Sequence, residues 1–161
     1  AHQSNLEVLL ATYPDARIIQ THRDPLKCMA SATSMMGCLY WIRSDKAFDS
    51  DAFDDFMCGP ATAQRLEQVM QQREQGIIPA SNIVDSRYQD LMEDPIESVR
   101  RIYRHFDMTF CEQVAERMRA YLASKPKNKF GAHRYAVAEQ DRAERPYFQR
   151  YQAHYGVVSE C

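Results

Sequence analysis

The 161-residue sequence has little of several features that would assign it to a class at once. No apolar run approaches about 18 residues, the length that a membrane-spanning helix needs, so we expect no membrane span. The five glycines are isolated from one another, which leaves no glycine-rich loop to cradle a phosphate. The formal net charge is only −2, whereas a general nucleic-acid-binding protein is usually basic. We therefore expect no nucleic-acid partner.

Cysteines are odd in number and widely spaced, at Cys28, Cys38, Cys58, Cys111 and Cys161. None of them forms a closely spaced zinc or redox motif, and an odd number does not favour a disulfide framework. We predict free thiols that are buried as small hydrophobic side chains, in a reducing and therefore cytoplasmic compartment. We see no cluster with metal-ligand spacing in the sequence and predict no metal site.

What the sequence does contain is a set of helical patterns that separate two β-branched segments. The strands are predicted at about 16–22 and 82–88, a long helix follows the first strand to about residue 42, and a closing helix covers about 142–155. Strands separated by helices indicate a parallel sheet with helical cover. Two strands are fewer than the usual five or so, and the chain does not begin with methionine. We expect residues 1–161 to be the C-terminal part of a single domain.

The segment 16–25 ends its predicted strand in an arginine and turns at once into a helix. Asp24 suits the N-cap of that helix and Pro25 its first position, and Asp94-Pro95 repeats this pattern and predicts a second helix start. Arg23 would then lie at the carboxyl end of a strand beside a helix N-terminus, where anions bind. Ser31 lies seven residues past the N-cap, about 10 Å along the helix, so both side chains can reach one anion. The alternative is that Arg-Asp-Pro only starts a helix. His22 alternates to the opposite face of the strand, and we predict a structural role for it.

A second basic feature lies late in the chain. Residues 125–134 contain three lysines and one arginine and no acid, in a chain that is acidic overall. A local basic segment on an acidic protein indicates one anionic ligand. The alternative is a solvated, lysine-rich linker.

Taken in order, these segments resemble the sulfotransferases of bacterial type that use 3′-phosphoadenosine-5′-phosphosulfate (PAPS). The strand, the Arg-Asp-Pro helix start and Ser31 are similar to the family's 3′-phosphate element. Residues 87–95 resemble its Tyr-Glu-Asp-Leu…Asp-Pro segment, and residues 129–135 its C-terminal PAPS loop. Residues 1–17 resemble the stretch that leads into the 3′-phosphate element in bacterial members. Each motif is short, but four in the family's order cover almost the whole chain.

The resemblance implies an α/β, helix-rich, partial P-loop-NTPase-like fold with a short parallel sheet. It implies a sulfuryl transfer from PAPS to a hydroxyl or amine of a small molecule or glycan, without a metal. The residues it assigns are His2 as general base, Arg23, Ser31, Lys129, His133 and Arg134 at the 3′-phosphate, and Tyr88 at the adenine. The family's loop for the 5′-phosphosulfate has no match here, so we expect the isolated chain to bind without turnover.

Two other functions remain open from the residues alone. A non-catalytic interaction module would use the basic segment to bind an acidic partner and would be indifferent to nucleotides. A small-molecule kinase related by fold would need an ATP phosphate loop and a magnesium-binding acid, and we see neither in the sequence.

Overall fold

The computed structural model describes residues 2–53, 58–125, 137 and 139–161. In that part of the chain the elements are α1 (Leu6–Thr12), β1 (Ile18–His22), α2 (Pro25–Arg43), α3 (Gly59–Glu74), β2 (Ile83–Arg87), α4 (Tyr88–Glu93), α5 (Pro95–His105), α6 (Glu112–Ser124), α7 (Glu139–Ala143) and α8 (Gln149–Tyr155). Short 3₁₀ turns cover His2–Asn5, Asp51–Phe53, Ala80–Asn82 and Arg145–Phe148. The predicted helix-rich α/β class with a short parallel sheet is confirmed. None of the described helices combines the length and apolarity needed to cross a bilayer.

The two strands lie side by side and run parallel. Ile18 pairs with Ile83 at one end of the register and His22 with Arg87 at the other. Parallel neighbours need a long crossover, which α2 and α3 supply between β1 and β2. Because the strands are parallel, both carboxyl ends lie at the same edge of the sheet. The residues that follow them, Arg23 and Tyr88, are therefore neighbours.

Two helices begin with an aspartate and a proline, as the sequence predicts. The Asp24 carboxylate accepts a hydrogen bond of 3.1 Å from the Leu26 N–H at the start of α2. Asp94 accepts one of 2.9 Å from the Glu97 N–H at the start of α5. In both helices the proline is the first residue, where an N–H would have no intrahelical partner. Asp24 is fully buried and Asp94 is exposed, although their local sequences look alike.

Among the described residues, three small core clusters hold the helices around the sheet. One joins α1, α3 and the strands through Leu6, Leu10, Val69, Ile78 and Ile83. The second joins Leu26 of α2 to Phe148, which has no exposed surface, and to Val137. The third packs Met70 of α3 against Tyr151 and Tyr155 of α8. The C-terminal helices are thus attached to the same sheet edge as Arg23.

Two predictions about the chain are wrong. The cysteines are free, as expected, but most are not buried: Cys28, Cys38, Cys111 and Cys161 are exposed, and Cys58 is half-buried. The closing helix is interrupted, because residues 145–148 form a 3₁₀ turn between α7 and α8. Pro146 lies in that turn and has no N–H to donate to an α-helical ladder.

Candidate anion-binding site

A cleft of about 280 Å³ opens at the carboxyl ends of the two strands. Its walls come from the ends of β1 and β2, from α4 and from the segment that follows α8. The lining residues that matter for its chemistry are Arg23, Arg87, Tyr88, Met92, Val158 and Glu160. Open α/β sheets bind ligands at this edge. The cleft therefore lies where the sequence places the anion-binding arginine.

Arg23 is held in this cleft by an aromatic ring and a carboxylate. Its guanidinium carbon lies 3.9 Å from the centre of the Tyr88 ring. Its Nε and Nη2 donate to Oε1 and Oε2 of Glu160 at 2.8 and 2.7 Å. These hydrogen bonds raise the pKa of Arg23 above its ordinary value. Two residues that sequence reasoning selected separately, Arg23 and Tyr88, are thus in direct contact.

The stacked, two-pronged geometry of Arg23 suits a tetrahedral oxyanion. Parallel N–H donors on one edge of a guanidinium match two oxygens of a carboxylate or a phosphate. The cation lies against the face of the Tyr88 ring, and such contacts are favourable. Arg23 is only partly exposed, with 36% of its side chain accessible. It can therefore hold an anion that enters the cleft.

Ser31 is less directly placed. It lies within α2 and is half-buried, and it is not among the residues that line the cleft in the described part of the chain. The guanidinium of Arg23 is bonded to Glu160. A shared anion between Arg23 and Ser31 stays a prediction.

The remaining selected side chains lie outside the described part of the chain. The His2 backbone belongs to the first 3₁₀ turn, but its side chain is outside the description. Lys129, His133 and Arg134 fall in residues 126–136, also outside the described residues. Their roles stay predictions.

His22 occupies a buried hydrogen-bonded network directly behind Arg23, as its predicted structural role requires. Its Nε2 lies 2.8 Å from Oδ1 of Asp85 and its Nδ1 lies 2.9 Å from the Tyr151 hydroxyl. The ring stacks on Tyr155 with 3.9 Å between centroids. A carboxylate only accepts, so Nε2 donates to Asp85, and the Tyr151 hydroxyl is the partner of Nδ1. Burial raises the pKa of Tyr151, which keeps that hydroxyl protonated.

Asp85 connects this network to helix α3. Arg73 donates to both of its oxygens, at 2.6 and 2.9 Å. Burial disfavours the charged form of Asp85, but hydrogen bonds from His22 and Arg73 outweigh it and hold the pKa well below its ordinary value. Asp85 is therefore ionised and fixes both partners. The strand end that carries Arg23 is anchored to α3 and α8 through these side chains.

Asp24 connects the start of α2 to the C-terminal residues on the other side of the site. Besides capping α2, it accepts two hydrogen bonds from the Arg145 guanidinium, at 2.7 and 3.0 Å, and one of 2.7 Å from the Glu160 N–H. Burial raises its pKa, but the bonds from Arg145 and Glu160 prevail and lower it overall. Sequence reasoning identified Asp24 only as a cap. No local signal points to Arg145 or Glu160, which are more than a hundred residues away.

No group of three or more metal-ligating side chains occurs within residues 2–53, 58–125, 137 and 139–161. Arg23 and Arg87, which line the cleft, are each paired with a carboxylate. Arg87 donates to Asp90 at 3.0 Å, for example. The site is thus defined by arginines, an aromatic ring and the ends of two strands.

The fold and the site together define a class of α/β proteins. In this class an arginine at the end of one β-strand stacks on a tyrosine at the end of the parallel neighbouring strand. A model of the sulfotransferase family matches residues 1–112. That is more than half of the chain, and the protein belongs to the sulfotransferase family.

Similar proteins come from mycobacteria. The chain is 28% identical over 138 residues to omega-hydroxy-beta-dihydromenaquinone-9 sulfotransferase Stf3 of Mycobacterium bovis and of Mycobacterium tuberculosis. Its structure resembles the crystal structure of sulfotransferase STF9 from Mycobacterium avium, with a TM-score of 0.70 and 25% identity. These matches cover 86% and 99% of this chain, respectively, but only 35% of Stf3 and 41% of STF9. The chain thus spans about a third of the length of the curated relatives it matches.

Proposed function

We propose that this chain carries the 3′-phosphate-binding half of a sulfotransferase site that takes PAPS as its donor. The observation that supports this most is the Arg23 guanidinium, which lies at the carboxyl end of β1, stacks on Tyr88 and already binds an oxyanion of its own chain. A 3′-phosphate offers the same pair of oxygens with more negative charge. Tyr88, Met92 and Val158 give the cleft an apolar wall that suits a purine ring.

The reaction we propose transfers a sulfuryl group from the phosphosulfate of PAPS to a hydroxyl oxygen or an amine nitrogen of the acceptor. The acceptor oxygen or nitrogen forms a bond to sulfur while the bond from sulfur to the bridging oxygen of the phosphosulfate breaks. The acceptor's proton goes to a base, for which His2 remains the predicted residue because histidine titrates near neutrality. Adenosine 3′,5′-bisphosphate leaves. The contribution of Arg23 is to position the donor and neutralise its charge.

The acceptor we propose is a hydroxyl-bearing or amine-bearing small molecule or glycan. The name of the Stf3 relatives specifies a hydroxylated dihydromenaquinone, which favours a hydroxyl and a lipid-like acceptor. Acceptor pockets are built from loops that vary between relatives. The choice of acceptor therefore rests on that name alone.

The half-site assignment is supported by the sheet. β1 pairs with β2 on one edge, and no strand within the described residues pairs with its other edge. A cavity of about 330 Å³ runs beside residues 18–21 and is bounded by Leu6 and Tyr151. We propose that further strands of the domain, carrying the loop for the 5′-phosphosulfate, belong at this edge. The chain by itself is then expected to bind the product nucleotide without turnover.

Calorimetric titration of the chain with adenosine 3′,5′-bisphosphate tests the proposal. Arg23→Ala removes a charge-assisted pair of hydrogen bonds and is expected to weaken binding about tenfold or more. Arg23→Lys keeps the charge but loses the two-pronged edge, so an intermediate loss is expected.

Arg17→Ala is the matched control. Arg17 precedes the opposite end of β1, where its guanidinium lies over the Phe106 ring at 5.8 Å. Its removal should leave the dissociation constant unchanged. Absence of binding by the wild-type chain, or equal effects of Arg17→Ala and Arg23→Ala, would refute the proposed function.

A further inference from the structure

The edge of Arg23 that would bind a phosphate is occupied by the chain's own carboxylate. Nε and Nη2 of Arg23 donate hydrogen bonds to the two carboxylate oxygens of Glu160, at 2.8 and 2.7 Å. A single edge of a guanidinium forms parallel hydrogen bonds with one anion at a time. A phosphate on that edge must therefore displace Glu160.

Hydrogen bonds to the backbone of Glu160 and of the next residue hold the Glu160 carboxylate in position. The N–H of Glu160 donates to Asp24 at 2.7 Å, and the carbonyl of Cys161 accepts from Arg145 at 2.9 Å. Asp24 is itself fully buried and paired with Arg145 at 2.7 Å. The backbone around Glu160 is thus attached to Asp24, the N-cap of α2 and the residue directly after Arg23. Because this segment is already ordered, the carboxylate reaches Arg23 at little further cost in conformational entropy.

Glu160 also differs from the other acids near the cleft. Glu93 lines the cleft as well, but the hydrogen bond it accepts comes from Gln89, one turn away on its own helix. Asp90 pairs with Arg87 and Arg101. Glu160 is the acid whose partner is the residue proposed to hold the ligand.

We propose that Glu160 is an internal competitor of the ligand's 3′-phosphate for Arg23. This inference rests on the proposed function, because it assigns the ligand phosphate to that arginine. A ligand that uses this edge binds only to molecules in which Glu160 has released Arg23. Its apparent dissociation constant is therefore its intrinsic one divided by the fraction of molecules in which the edge is free. A nucleotide without a 3′-phosphate does not compete with Glu160 and is unaffected.

The experiment compares the wild-type chain with Glu160→Gln in calorimetric titrations with adenosine 3′,5′-bisphosphate and with adenosine 5′-phosphate. The amide keeps the shape of the side chain but removes its charge. Exposed ion pairs are worth a few-fold in an equilibrium constant, and the two-pronged geometry places this pair at the upper end. We expect Glu160→Gln to tighten binding of the bisphosphate about threefold to tenfold and to leave binding of the 5′-phosphate unchanged.

Glu97→Gln is the control for net charge, since it removes the same charge from a half-buried side chain outside the cleft, paired with Arg100 at 2.8 Å. It should leave both affinities unchanged. Glu160→Ala is a second variant with the same expected direction, and thermal unfolding verifies that each variant is folded. A gain below threefold for the folded Glu160 variants, or an equal gain with Glu97→Gln or with adenosine 5′-phosphate, would overturn the inference.

The two proposals fail in distinguishable ways. If Arg23→Ala has no effect on binding of the bisphosphate, the proposed function is wrong. If Arg23→Ala weakens binding but Glu160→Gln does not tighten it, the proposed function stands and the competition does not.

Discussion

Replacing Asp24 by asparagine removes the negative charge that binds Arg145 and the Glu160 N–H, and so connects the C-terminal residues to the start of α2. The Asp24 carboxylate is fully buried and pairs with the Arg145 guanidinium at 2.7 and 3.0 Å. Asparagine keeps an oxygen that can cap α2, because it is as good an N-cap as aspartate. The substitution removes the ion pair, together with the hydrogen bonds that Oδ2 accepts from Arg145 and from the Glu160 N–H.

The expected cost is a large part of the stability of the chain. Removing one partner of a buried ion pair costs about 3–5 kcal/mol, because the other charge is left unpaired. Arg145 keeps 21% of its side chain exposed, so water recovers part of that loss. We expect Asp24→Asn to lower the free energy of unfolding by about 2–3 kcal/mol, in a domain whose total is about 5–15 kcal/mol.

Urea denaturation followed by circular dichroism at pH 7 measures the change. Asp94→Asn is the matched control, since Asp94 also precedes a proline and caps a helix but is exposed. Its cost should stay below about 0.5 kcal/mol. If the two substitutions cost the same, the Asp24–Arg145 pair does not stabilise the fold and the reasoning is refuted.

The cost should also depend on pH in a defined direction. The pKa of Asp24 in the folded chain lies below its ordinary value of 3.8, despite the opposing effect of burial, because Arg145 and Glu160 bind the charged form. A carboxyl whose folded pKa is lowered stabilises above its unfolded pKa and loses that contribution as the pH falls through the folded pKa. The difference between wild type and Asp24→Asn should therefore be constant at neutral pH and shrink below about pH 4.

Two further pairs of variants test the packing by urea denaturation. Phe148→Ala removes the side chain of a residue with no exposed surface and should cost about 3–5 kcal/mol. Tyr147 is 57% exposed, so Tyr147→Ala should cost below about 1 kcal/mol, and equal costs would contradict the assigned core. Gly156→Ala and Gly76→Ala both force alanine into a left-handed backbone and should cost about 1–2 kcal/mol. At Gly156 the added methyl also comes within 3.1 Å of Arg87, so a smaller cost than at Gly76 would contradict the close approach.

The parts of the fold that could be predicted from the sequence are those with local causes. The β-branched residues before Arg23 predict β1, and the Asp-Pro pairs predict the starts of α2 and α5, because a cap and its helix are contiguous. The burial of the cysteines and the continuity of the last helix were predicted wrongly. Small apolar side chains are not always inside, and Pro146 interrupts the last helix because it has no N–H to donate to the helical ladder.

Some features of the candidate site could also be predicted from the sequence, and others depend on the tertiary structure. The position of Arg23 at a strand end followed from sequence, and so did Tyr88 at the end of the second strand. Their contact follows only from the parallel register, in which His22 faces Arg87 and the next residues stack. Lys129, His133 and Arg134 lie outside the described residues, so their part in the site is still a prediction from the family resemblance.

The sequence by itself determined the strand ends, the helix starts, the α/β class and the resemblance to sulfotransferases, all of which depend on neighbouring residues or on the order of motifs. Only the tertiary structure decided what Arg23 and Asp24 bind. Glu160 lies 137 residues after Arg23, and Arg145 lies 121 residues after Asp24. No periodicity or spacing in the sequence encodes contacts over such separations. They exist because α8 packs on α3 and brings the last residues of the chain back to the sheet edge where β1 ends.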